Sequence, residues 1–106
     1  MEYHNHFDIS GVVFIPMENV LISDPIIRAV EKLGGMVPNN MLIDFQAPSF
    51  GFLNRLKCFS NFRVDFYPPV KLSKIENSNY YKIIDGRHRV AYSIFNKFSK
   101  IPCVLV

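Results

Sequence analysis

Residues 80–98 read YYKIIDGRHRVAYSIFNKF, and the apolar period changes at Gly86. Before the glycine YYKIID alternates and predicts a strand; after it Val90, Ala91, Ile94, Phe95 and Phe98 recur at three- and four-residue spacing and predict a helix with one apolar stripe. Both elements need an apolar partner, so the chain must build a sheet with helices packed on it.

The first turn of that helix carries Arg87, His88 and Arg89. A helix N-terminus exposes free N–H groups and the positive end of the macrodipole, which makes each cation there unfavourable by roughly 0.3–1 kcal/mol. A bound anion reverses the sign, because amides, dipole and side chains then act on one negative charge. Gly86, without a Cβ, lets such a ligand reach the main chain. The competing reading has the arginines in water or paired with a carboxylate elsewhere; their poor placement favours the anion. His88 is expected to donate to a phosphate oxygen and Arg89 to make a forked contact. Asp85 is by default a helix cap. A metal or general-base role for it needs a second carboxylate, and none lies near it in sequence.

Elsewhere the pattern is simpler. GVVFIP, residues 11–16, is a β-branched run ended by proline and predicts a strand. Ser23 or Asp24 can cap a helix with Pro25 in its first turn and Gly34-Gly35 at its end. Ile26, Ile27, Val30 and Leu33 form its stripe and leave Arg28, Glu31 and Lys32 to solvent or a site. YPPVKLSKI predicts a strand that ENSN turns back into YYKIID as a hairpin, and IPCVLV predicts a buried final strand.

Residues 36–69 alternate apolar residues with Pro38, Pro48 and Gly51 and keep no period. A structureless loop of that length is unusual in a small domain, so an ordered, aromatic-rich insertion is expected. MLIDF is a candidate strand within it, and Phe45, Phe50, Phe52, Phe59, Phe62 and Phe66 supply its packing. The expected architecture is a single α+β domain over residues 1–106, with a small mixed sheet and two main helices.

With 12 Lys+Arg against 9 Asp+Glu, the net charge of +3 favours polyanions only mildly. Cys58 and Cys103 form no C-x-x-C pair and sit among apolar neighbours, which predicts reduced, buried thiols in a reducing compartment. MEYHNHFDIS lacks the pattern of a signal peptide, and no segment approaches the ~20 apolar residues of a membrane span. An intracellular protein, cytoplasmic or nuclear, or one carried in a virus particle, is expected. Abundant Asn, Ile, Lys and Phe fit the AT-rich genome of a virus or parasite.

YYKIIDG, RHRVAY and IPCVLV together resemble the ParB/sulfiredoxin superfamily: a hairpin strand, a small-residue turn, a basic motif opening a helix, and an Ile-Pro strand. VLISDPIIRAVEKL is similar to the family's first helix with its Asp-Pro start. The resemblance implies a phosphate-binding turn at Gly86, Arg87, His88 and Arg89, and a nucleoside triphosphate, ATP or CTP with magnesium, as ligand. Arg87 stands where sulfiredoxins have the catalytic cysteine and where ParB-like proteins have an acid. Sulfiredoxin chemistry is therefore not expected, and ParB-type hydrolysis is in doubt. The resemblance also implies that Arg28 and Glu31 on the first helix face the same pocket.

The leading expectation is a phosphate-binding domain, for a nucleotide or a DNA backbone, that forms a homodimer and engages no membrane. One alternative is a structural or packaging protein that self-associates through the Phe-rich insertion. The other is a metal-assisted nuclease or nucleotide-dependent phosphotransferase using Asp85 and His88, which needs a carboxylate pair in space. His4, His6 and Asp8 alternate along one face of an extended segment, but no fourth ligand is in sight, so metal binding there is disfavoured.

Overall fold

The computed structural model describes residues 11–44 and 69–106. His4, His6, Asp8, Cys58 and the six phenylalanines from Phe45 to Phe66 lie outside them. In chain order the elements are β1 (Val12–Pro16), a 3-10 turn (Met17–Asn19), α1 (Asp24–Lys32), β2 (Val70–Lys74), β3 (Tyr81–Asp85), α2 (Arg87–Phe95) and β4 (Lys100–Leu105). The strands form one mixed sheet in the order β1-β4-β2-β3. β4 runs antiparallel to β1, with Ile15 opposite Ile101, and parallel to β2, with Val70 beside Cys103. This is the expected α+β domain.

β2 and β3 pair as the expected hairpin, and the turn is closed locally. The Ser78 hydroxyl donates to the Ile75 carbonyl at 2.9 Å and accepts from the Tyr80 amide at 3.1 Å, while Asn77 takes the left-handed conformation at φ +62°. Between the Lys71–Asp85 and Leu72–Ile83 pairs the register slips by one residue at Ile84, a bulge just before the chain leaves β3 for α2. Pro102, with no N–H to give a ladder, sits just before the parallel pairing with β2 begins at Cys103.

One face of the sheet carries the core. Ile15, Leu72, Ile101 and Cys103 point into a cluster with Ile26, Ala29 and Val30 of α1 and Val90, Ala91 and Ile94 of α2. The helices pack against each other over this layer. Val20, Ile22, Ile26, Val30, Leu72, Val90 and Ile101 are no more than 1% exposed, each burial contributing about 1.5–3 kcal/mol.

Two expectations change. Phe98 is buried as predicted, but α2 stops at Phe95. The chain turns through Lys97 at φ +60°, and the Phe98 amide donates to the Ser93 carbonyl and that of Lys97 to Ile94, a Schellman turn that folds Phe98 back onto the core. MLIDF supplies no regular strand among the described residues. Instead Ile43 makes an isolated parallel bridge to Ile22, and the Ile22 amide donates to Leu42 at 3.0 Å. The segment before α1 thus spans from β3, through the Val20–Tyr81 bridge, to residues 42–44. No helix among the described residues is long and apolar enough to cross a membrane.

Candidate functional site

The junction of β3 and α2 is built on Gly86. Its φ of +104° lies where side chains are strained, and a Cβ there would sit 3.0 Å from Val70 Cγ2 and 3.1 Å from Arg89 Nη2. Only glycine meets both conditions. Gly86 also stands at the N-cap of α2, so no side chain caps this end, and the first helical bond runs from the Val90 amide to the Gly86 carbonyl at 3.0 Å. The first turn contains no acidic residue. Arg87, His88 and Arg89 occupy it, all half-buried.

Asp85 precedes the N-cap and is used differently from a cap. Its carboxylate accepts from Arg89 Nη2 at 3.4 Å, while Arg89 Nη1 donates to the Pro69 carbonyl at 3.4 Å. Arg89 therefore ties the first turn of α2 to the end of β3 and to the residue that leads into β2. At 3.4 Å the bonds are long, and with the Asp85 side chain 64% exposed the ion pair contributes only modestly. The Asp85–Arg89 spacing of four residues was the sequence signal for this pair. The next turn of α2 is fixed by Ser93, fully buried, whose hydroxyl donates to the Arg89 carbonyl at 2.7 Å.

The first-helix residues implied for the same pocket are Arg28 and Glu31. Arg28 is exposed, and Glu31 lines a groove of about 630 Å³ with Ile22, Ile27, Met36 and Met41. A second groove, about 560 Å³, lies on the other side of the 36–41 segment, between Met17, Met41, Ile94 and Phe98. Gly86, Arg87, His88 and Arg89 line neither. Sequence reasoning missed both grooves, because they form where an aperiodic segment lies against the core.

Among the described residues no three His, Cys, Asp or Glu side chains gather as a metal site. Cys103 is a free, fully buried thiol, and desolvation pushes its pKa up to about 11. It stays protonated near neutral pH and packs as a small hydrophobe.

No protein-family model matches the chain, and no curated protein sequence matches it. A solved structure of a conserved hypothetical protein from Pyrococcus furiosus is similar, with a TM-score of 0.51 and 19% identity. The match covers all of this chain and 34% of that one, so the chain spans about a third of that protein's length. At this identity the likeness is one of fold alone.

Proposed function

We propose that this chain is a ParB/sulfiredoxin-like domain that binds a phosphate-bearing anion, a nucleotide or a nucleic-acid backbone, at the N-terminus of α2. The observation that carries the reading is a helix that opens on a glycine with φ +104°, has no acid in its first turn, and places Arg87, His88 and Arg89 there. In the unliganded protein the Arg87 and Arg89 cations stand at the positive end of the macrodipole; with a phosphate at the turn those charges, a His88 N–H and the leading amides become favourable together. The Gly86 backbone and Arg87 and His88 hold the anion. Arg89, bonded to Asp85 and Pro69, positions the turn and adds charge.

No bond is made or broken by this site. Arg87 occupies the position of the sulfiredoxin nucleophile, and Cys103 is buried in the core. The donor set also does not fit a protein-held magnesium ion, since Asp85 is a single carboxylate already bonded to Arg89. Magnesium would arrive on the phosphates of the nucleotide.

Thermal melts with ATP, CTP, GTP, sulfate and a short DNA duplex, each with and without magnesium, test the reading. A ligand at 100 times its Kd adds about 2.7 kcal/mol of stability, so a selective nucleotide gives a plain rise in Tm. Arg87→Ala with His88→Ala abolishes that rise while the variant folds normally. No rise with any anion sinks the proposal.

A further inference from the structure

The sheet has a second face that neither helix covers. Strand alternation sends Phe14, Lys71, Pro102 and Val104 away from the buried Ile15, Leu72, Ile101 and Cys103. Phe14 is 43% exposed there, over the half-buried Pro102 and Val104. Lys71, Lys82 and Lys100 are exposed on the same face: Lys100 opposite Pro16, Lys71 beside Val104, Lys82 opposite Ser73. Ordinary strand spacing sets them on a diagonal, roughly 14 Å from Lys100 to Lys71 and roughly 8 Å from Lys71 to Lys82. The one acid in the four strands, Asp85, is already bonded to Arg89.

We infer that this face binds a single-stranded nucleic acid, with phosphates along the lysine diagonal and a base against Phe14. A line of three lysines against one acid, itself ion-paired with Arg89, complements a polyanion, and an exposed aromatic on an apolar floor is a stacking platform open to an unpaired base. A duplex keeps its base faces inside the stack and leaves Phe14 unused. The surface uses residues distinct from the α2 turn, although Lys71, opposite Asp85, brings the two close.

The test is fluorescence anisotropy of the full chain with a labelled oligothymidylate of about ten nucleotides, over a salt series. The expected result is salt-sensitive binding that Lys71→Glu/Lys82→Glu/Lys100→Glu weakens more than about tenfold with a shallower salt slope. Phe14→Ala weakens it about tenfold with the slope unchanged. Lys32→Ala, at an exposed lysine of α1 on the helix-covered side of the sheet, leaves the affinity within about twofold. Circular dichroism melts confirm that each variant folds. No binding by the wild type at low salt, or wild-type affinity in both sheet-face variants, overturns the inference. So does loss only in the Arg87/His88 variant, which assigns the oligonucleotide to the helix turn. Light scattering that shows a dimer broken by Phe14→Glu assigns the face to a second copy of the chain and overturns it too.

Discussion

Helix α1 opens on Ser23-Asp24-Pro25 and α2 on Gly86-Arg87-His88-Arg89, two nine-residue helices packed side by side on one core. In α1 the local preferences are met apart from the side-chain cap: an acid in the first turn, proline where no N–H is needed, Lys32 in the last turn, and Gly34 at φ +94° in the closing Schellman turn. In α2 each is reversed or missing. Cations fill the first turn, no basic residue lies in the last, and Lys97 holds the left-handed position that Gly34 holds in α1. The two bury similar apolar faces, so α2 persists on packing that outweighs its ends. Its departures mark where stability was yielded for something else.

The contrast is open to direct attack. Gly86→Ala is expected to cost about 2 kcal/mol or more, from the left-handed φ together with crowding against Val70 and Arg89, whereas Gly34→Ala, with nothing within 4 Å of its Cβ, costs about 1 kcal/mol. Equal losses in urea denaturation would show that the α2 turn is not crowded. Next, Lys97→Gly should raise stability by about 1 kcal/mol, and Tm by several degrees, by relieving the left-handed lysine; an unchanged melt removes the C-terminal half of the contrast. Arg87→Glu should erase the stabilisation by phosphate ligands, with a dipole contribution to the ligand-free protein of only about 0.3–1 kcal/mol. A variant whose melt still rises with phosphate ligands would contradict the role of the basic turn.

The smallest effect belongs to α1. Ser23 is buried, and its hydroxyl has no partner, because Pro25 has no N–H and the Ile26 amide already donates to the Ser23 carbonyl at 3.0 Å. Ser23→Ala should therefore change stability by less than about 0.5 kcal/mol, against the ~1 kcal/mol usual for a serine cap. A full-sized loss would show that the hydroxyl does cap the helix.

Much of this was legible before any coordinates. The β-branched run VVFIP, the strand patterns of VKLSK and YYKIID, the stripes of both helices, and the Ser-Asp-Pro and Gly-Gly boundaries of α1 are local signals, and each of these elements lies where its signal placed it. The end of α2 was not legible, since a lysine carries no sign that it will adopt φ +60°. The bridges of Val20 to Tyr81 and Ile22 to Ile43 were equally hidden, because irregular segments pair through backbone groups that every residue has. At the candidate site the basic turn and its glycine were plain, and Asp85 and Arg89 stood at pairing distance in sequence. That Arg89 would fold over Gly86 to reach the Pro69 carbonyl was not.

The sequence by itself determined the elements, the apolar faces they bury and the unusual charge at the start of α2, because period, capping and dipole act within a few residues. Only the tertiary structure decided that β4 inserts between β1 and β2, that Glu31 lines a groove whose walls do not include the basic turn, and that Phe14 and three lysines share the sheet's open face. Those placements depend on which strand edges meet, and that choice is made by the whole core at once.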